Sequence, residues 1–336
     1  MSREEVLETL RREQGGVVSG QELSRRLGLS RAAVWKAVDG LRRDGYVIEA
    51  RSGSGYRLIA VPDAVTEPEI RSFLGETAVV GREIRCFAEL DSTNNYLKAL
   101  GQSGEGIDGL AAVADSQTAG RGRMERSFQS PRGKGVYLSV LLRPALPLEW
   151  VPPVTAMAGV AVCRTVERVC GMRPGLKWPN DPVLNGKKLC GILTELSLEA
   201  ETGRVQSLVL GIGINVLQEP EDFSPEVQEV ATSLLQVTGT AVSRPRVAAA
   251  LLEELDQMYA DLRTGRLEPY RAAYRQDCVN LGKQVQLIPS GGGERETAEA
   301  VDINDAFELI VRRGDGTLRT VRSGEVSVRG LWGYTE

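Results

Sequence analysis

Histidine is absent from all 336 residues. That absence excludes Ser-His-Asp and Cys-His nucleophilic catalysis, imidazole-ligated metals and an imidazole general base, so any chemistry rests on Lys, Arg, carboxylates and backbone groups. Cysteine is sparse: Cys86, Cys163, Cys170, Cys190 and Cys278 are scattered, odd in number and without a Cys-x-x-Cys pair. A disulfide framework and a structural zinc site are thereby excluded, and buried thiols are the expectation. No stretch approaches the roughly 20 apolar residues of a membrane span, and the opening MSREEVLETLRRE lacks the apolar core of a secretory signal. No membrane association is expected, and a cytoplasmic location is.

With 42% hydrophobic and 26% charged residues, the chain has the composition of an ordinary globular protein of two or three domains. Its net charge of −4 hides an asymmetry, because residues 1–60 hold 11 Lys/Arg against 8 Asp/Glu. A basic head on an acidic body suits a nucleic-acid-binding module joined to an enzyme or sensor.

The head carries its own pattern. Ser19 with Glu22 is a capping signature, Leu23 and Leu27 form an apolar face, and Gly28-Leu29-Ser30 makes a tight turn into a second helix from Arg31. Ser30 caps that helix, Val34, Val38 and Leu41 face inward, and Arg31, Ala32, Trp35 and Lys36 are left outward. Alternating residues 46–49 and 56–59 flank Ser52-Gly53-Ser54-Gly55 as a hairpin wing would. The segment Gly20–Asp39 is thus predicted to be the helix-turn-helix of a winged DNA-binding module, with Ser30, Arg31 and Lys36 at the DNA. A small helical domain for protein contacts is the competing reading. Prolines 62 and 68 mark a linker, with a boundary near residue 64.

Beyond it, strand-like runs at 136–142, 191–198 and 205–216 alternate with helical stretches near 153–170 and 245–264, an α+β or α/β layer pattern. Gln117-Thr118-Ala119-Gly120-Arg121-Gly122-Arg123 sets two glycines among arginines, which fits close approach to a polyanion but lacks the spacing of a P-loop. Lys177-Trp178-Pro179-Asn180-Asp181 and Lys187-Lys188-Leu189-Cys190-Gly191-Ile192-Leu193 bracket a hairpin turning at Asn185-Gly186. Asp91-Ser92-Thr93-Asn94 and Gly211-Ile212-Gly213-Ile214-Asn215 complete the series.

In this order the five motifs resemble the biotin–protein ligases, specifically the bifunctional bacterial type, over essentially the whole chain. Lipoyl ligases share the catalytic architecture but not, as a rule, this series. The resemblance implies an α+β multidomain chain: a winged helix-turn-helix (1–63), a class II synthetase-like α/β catalytic domain (64–277) and an SH3-like small β-barrel (278–336). It implies biotin and ATP as substrates with Mg²⁺ accompanying ATP, a biotin carboxyl carrier protein as acceptor, operator DNA as a second partner, and an adenylate-promoted homodimer.

By the same resemblance, Ser92, Thr93, Asn94 and Gln117 would bind the ureido end of biotin, with Gly191 and Leu193 also lining its pocket. Gly120, Arg121, Gly122 and Arg123 would wrap the biotin carboxylate and the ATP phosphates, with Lys177 and Lys188 adding positive charge. Asn180 and Asn215 would meet adenine, with Phe128 packed over it. Asp181 would orient the acceptor lysine, assist with magnesium, or simply cap a turn. Without the resemblance, Ser92 reads as a helix cap and the lysines as solvated. Glu125 and Phe128 depart from the family's usual glycine and tryptophan, and a glutamate near phosphates would weaken ATP binding or adenylate retention. No site residue is assigned to the C-terminal strands. A monofunctional ligase with a silent N-terminal module and a biotin-sensing repressor without chemistry remain the alternative functions.

Overall fold

A computed structural model describes residues 2–13, 15–51, 54–123, 126–144, 151–198, 205–289, 294–324, 326–330 and 334–335. The chain separates into two compact units, Met1–Ala64 and Val65–Glu336.

In the first unit, helices α1 (Ser2–Arg12), α2 (Gly20–Leu27) and α3 (Arg31–Arg43) precede an antiparallel pair, β1 (Val47–Arg51) and β2 (Gly55–Ala60). The capping pattern works as read: Ser19 Oγ accepts from the Glu22 amide at 3.0 Å and Ser30 Oγ from the Ala33 amide at 3.1 Å. Each such cap contributes about 1 kcal/mol. Gly28 closes α2 at φ 65°, where a Cβ would be strained. Val34, Ala37, Val38 and Leu41 are buried against Val6, Leu10, Leu23 and Ile48, while Arg31, Ala32, Trp35 and Lys36 stay exposed. Ser52 and Gly53, the centre of the expected wing turn, lie outside the described residues.

The second unit begins with α4 (Glu67–Arg71), β3 (Ile84–Phe87), α5 (Thr93–Ser103), β4 (Ala111–Ala114), β5 (Gly135–Leu142) and α6 (Val151–Cys170). A three-stranded meander follows, β6 (Gly175–Lys177), β7 (Asp181–Leu184) and β8 (Lys187–Lys188), then the long strands β9 (Cys190–Leu198) and β10 (Val205–Asn215). Next come α7 (Pro225–Gln228), α8 (Leu234–Thr238), α9 (Arg244–Arg263) and α10 (Glu268–Asp277). The C-terminal strands β11 (Gln284–Pro289), β12 (Glu296–Ile303), β13 (Leu309–Arg312), β14 (Leu318–Val321) and β15 (Val326–Gly330) form an antiparallel sheet in the order β14-β13-β12-β11-β15.

The central sheet has the order β3-β4-β5-β10-β9, parallel only between β3 and β4. Strand periodicity sends alternate residues to opposite faces. Val136, Leu138, Val140, Leu142, Ile192, Leu210, Ile212 and Ile214 join the core that includes α6 and α9. The intervening positions 137, 139, 191, 193, 195, 211, 213 and 215 take the other face, where α5 lies and Leu97 packs on Leu141 and Val209. β5 is buried along its whole length because both faces are covered.

At the boundary expected between residues 277 and 278 the backbone makes contacts back to the first meander strand. Cys278 bridges to Leu176, the Val279 amide donates to Leu176 O at 2.9 Å, and Asn280 Oδ1 accepts from the Trp178 amide at 2.8 Å. The chain leaving α10 is therefore stitched to β6. Of the cysteines expected to be buried, Cys163, Cys190 and Cys278 are, whereas Cys86 and Cys170 are half-buried.

Candidate active site

The polar face of the central sheet supplies the floor of the site, and its glycines are there to admit neighbours. A Cβ on Gly211 would lie 2.0 Å from Asn94 Oδ1, and one on Gly213 2.5 Å from the Phe128 ring. Gly191, paired with Gly213 across β9 and β10, would set its Cβ 2.8 Å from the same ring. Two facing glycines thus make a flat seat on which Phe128 rests, its ring inclined at 73° to that of Tyr137 at a centroid distance of 6.4 Å. The repeat Gly-Ile-Gly-Ile-Asn has a physical meaning here: isoleucines into the core, glycines and Asn215 under the site.

The start of α5 closes one end. Ser92 is 2% exposed and is the N-cap residue of α5 by position, its carbonyl accepting from the Tyr96 amide at 3.1 Å, but its side chain makes no cap hydrogen bond. The Thr93 amide and hydroxyl donate to Gln117 Oε1 at 2.9 and 3.1 Å. Thr93 Oγ1 also lies 2.7 Å from Ser139 Oγ, which donates to Asn94 Oδ1 at 2.6 Å. Gln117 Nε2 donates to Ser130 Oγ at 2.9 Å. Asn94 Nδ2 donates to Glu195 Oε2 at 3.0 Å and lies 3.5 Å from Leu193 O.

This rigid network fixes an expectation for Gly211→Ala. With Asn94 tied to both Ser139 and Glu195, the added methyl cannot be accommodated by rotation, and overpacking costs about 1–3 kcal/mol. Denaturant unfolding should register that loss; unchanged stability would mean that Asn94 has room to move.

The glycine-arginine loop folds back on itself: Gly122 N donates to Arg126 O at 2.7 Å and Phe128 N to Gly120 O at 2.8 Å. Gly120 allows this, since its Cβ would lie 2.3 Å from Phe128 O. Arg121 Nη1 is shared between Asn95 Oδ1 at 3.1 Å and Glu195 Oε1 at 3.0 Å, and Lys98 Nζ reaches the same carboxylate oxygen at 3.1 Å. Burial pushes the Glu195 carboxyl up, yet the hydrogen bonds of Asn94 and Lys98 and the charge of Arg121 bring it below its ordinary value. Glu125 lies outside the described residues.

Arg123 points elsewhere, donating through Nη1 to Asn180 Oδ1 at 2.9 Å and through Nη2 to Ser323 Oγ at 3.2 Å. Burial draws its pKa down from the ordinary arginine value. Asn180 is held in turn by Nδ2 donating to Ile192 O at 2.8 Å. One residue on, Asp181 opens β7 and pairs with Lys188 Nζ at 2.6 Å. Its other oxygen accepts from the Tyr334 hydroxyl at 2.5 Å. Asp181 is thus a strand residue inside a charge cluster, and the turn-cap reading fails. Burial raises its pKa, but Lys188, Tyr334 and the charge of Lys177 outweigh burial and leave the carboxyl below its usual range. Lys177 is only 5% exposed, with its ammonium 3.4 Å from the Tyr334 ring centroid, so it is not the solvated lysine that composition alone would allow. The turn at Asn185-Gly186, with φ 51° and 74°, brings Lys188 back opposite Val183.

Asn215 Nδ2 donates to Thr232 O at 3.0 Å, and its Oδ1 accepts from Gln218 Nε2 at 3.2 Å. The Thr232 amide donates to Lys188 O at 2.9 Å, which ties this corner to the charge cluster. The structure therefore gathers the expected residues into three adjoining groups: Ser92, Thr93, Asn94 and Gln117 with Arg121; Arg123, Lys177, Asn180, Asp181 and Lys188; and Phe128, Gly191 and Asn215. Sequence reading missed Ser139, Glu195, Gln218, Ser323 and Tyr334. Only Ser139 and Glu195 left a signal, as polar residues on the site-facing positions of otherwise apolar strands.

Residues 2–57 match a helix-turn-helix (HTH) domain, and residues 86–215 match the biotin/lipoate A/B protein ligase family. The chain is 37% identical over 326 residues to a bifunctional ligase/repressor BirA of Bacillus subtilis, covering 97% of this chain and 98% of that protein. It is 36% identical to a biotin–[acetyl-CoA-carboxylase] ligase of Mycobacterium tuberculosis, covering 73% of this chain and 88% of that one. A solved biotin protein ligase from Aquifex aeolicus, in complex with biotin and ATP, superposes with a TM-score of 0.64 at 29% identity, over 74% of this chain and 99% of that chain. With a helix-turn-helix ahead of a ligase domain and relatives alike over nearly its full length, this chain belongs to the biotin protein ligase family, in the branch of the bifunctional ligase/repressors.

Proposed function

We propose that this chain attaches biotin to a biotin carboxyl carrier protein in two ATP-dependent steps and represses biotin genes through residues 1–63. Residues 64–277 carry the chemistry and residues 278–336 complete its site. In the first step a biotin carboxylate oxygen bonds to the α-phosphorus of Mg·ATP, the bond to the bridging oxygen breaks and pyrophosphate leaves. In the second, the amine of a carrier lysine attacks the acyl carbon of biotinyl-5′-AMP, loses a proton and releases AMP. Adenylation is required because a free carboxylate is a poor acyl electrophile.

The observation that carries this reading is the cluster of Arg123, Lys177 and Lys188 beside a hydrogen-bonded polar cradle on a glycine floor. Preorganised cations in a partly buried site stabilise charge developing on a transferring phosphoryl group. Ser92, Thr93, Asn94 and Gln117 supply the donors and acceptors a ureido group needs, with Gly191 and Leu193 assigned to the same biotin site. Arg121 would exchange Glu195 for the biotin carboxylate, Gly120 and Gly122 bring backbone to the phosphates, and Arg123 and Lys188 hold the reacting oxygens. Asn180 and Asn215 flank the adenine with Phe128 over it. Asp181, both of whose oxygens are already engaged, positions Lys188, and magnesium enters as part of Mg·ATP.

Among the described residues no helix is long and apolar enough to cross a membrane, and a cytoplasmic location belongs to the same proposal. So do operator DNA as partner and an adenylate-promoted homodimer formed through the central sheet, in which a bound ligand would favour the DNA-binding assembly. The direct test is transfer of labelled biotin to a carrier domain with and without ATP. ATP-dependent labelling establishes the ligase; tight biotin binding without labelling would leave a sensor.

A further inference from the structure

We propose that Tyr334, at the end of the chain, is a positioning residue for adenylate formation: it holds Asp181 and Lys177 so that Lys177 and Lys188 face the reacting phosphate together. The inference rests on the ligase reading of the site. Three observations carry it. The Tyr334 hydroxyl donates to Asp181 Oδ2 at 2.5 Å while Lys188 Nζ occupies Oδ1 at 2.6 Å. The Lys177 ammonium lies 3.4 Å from the centroid of the Tyr334 ring. The tail is itself seated beside the hairpin that carries Lys188, with Thr335 Oγ1 donating to Gly186 O at 3.4 Å and Lys283 Nζ donating to Thr335 O at 3.3 Å.

The physical consequence is a division of the Asp181 charge. A carboxylate with one oxygen bound by a neutral hydroxyl offers the other to a single ammonium in a fixed direction. With the hydroxyl gone, the carboxylate is free to turn both oxygens toward the two lysines and to hold them away from substrate. The ring acts separately, as an apolar seat for Lys177 whose π-face favours the cation. Tyr334 thereby couples the last residues of the β-strand segment to two lysines that lie more than 140 positions earlier.

Two variants separate these contacts in the full-length protein. Tyr334→Phe keeps the ring and removes the hydroxyl; it is expected to lower kcat for biotin- and ATP-dependent pyrophosphate release about tenfold, the scale of one hydrogen bond to a charged group. KM for biotin should change less than about twofold, because the cradle at Thr93 and Gln117 is untouched. Tyr334→Leu removes both contacts and should lower kcat further. The discriminating measurement is a double-mutant cycle: in an Asp181→Asn background, Tyr334→Phe should have less than about a twofold effect, since the group it positions is gone. Additive losses would overturn the proposal in favour of a general structural role, as would wild-type kcat in Tyr334→Phe. Absence of pyrophosphate release from the unmodified protein would instead overturn the ligase reading itself.

Discussion

Lys188→Ala should reduce the rate of biotinyl-5′-AMP formation on the order of 10²–10³-fold, the effect of deleting one preorganised donor to developing charge. Lys188 is well placed for such an effect. It follows a tight turn at Asn185-Gly186, its backbone is pinned by hydrogen bonds with Val230 and Thr232, and its ammonium is directed by Asp181. The substitution removes a cation and also leaves the Asp181 carboxylate without its ion-pair partner, facing the position assigned to the phosphates. Both consequences oppose a second negative group. Asp181→Asn should therefore cost less than Lys188→Ala, because it spares the cation. Pyrophosphate release at saturating biotin and ATP measures both rates. A Lys188→Ala enzyme within about threefold of the parent would remove this residue from the mechanism.

The second large effect belongs to the first unit. Reversing two charges together, Arg31→Glu with Lys36→Glu, should abolish tight binding to operator DNA, leaving affinity weaker on the order of a thousandfold if each position meets a phosphate or base edge. The choice follows from what the neighbouring cations already do. Arg25 and Arg26 bind Glu22, Arg43 binds Asp39, and Arg42 donates to Ile48 O. Arg31 and Lys36 are exposed and make no ion pair among the described residues. Ser30 fixes the start of their helix, so their presentation is set by the fold and their charge is left for a partner. The double variant should keep its ligase rate and reduce the dependence of log affinity on log salt by about two. Anisotropy titrations with labelled operator at two salt concentrations decide the matter; unchanged affinity would leave the module without a DNA contact on this helix.

Much of this molecule follows from local rules. Ser19, Gly28 and Ser30 determine where two helices begin and end, since a cap satisfies amides within three residues of itself. Asn185-Gly186 determines the hairpin that returns Lys188, because only such residues take its positive φ without strain. Alternation determines that Ile212 and Ile214 go to the core while Gly211, Gly213 and Asn215 go to the opposite face. What no local rule contains is the partner that each of these positions receives. Ser139 reaches Asn94 across 45 positions, Glu195 reaches it across 101, and Tyr334 reaches Asp181 across 153. Cap, turn and strand preferences act over a few residues and are written in neighbouring side chains. The placement of Glu195 under Arg121 and of Tyr334 against Asp181 and Lys177 comes from sheet order and from the stitching of residues 278–280 to β6, which are decided only when the whole core packs.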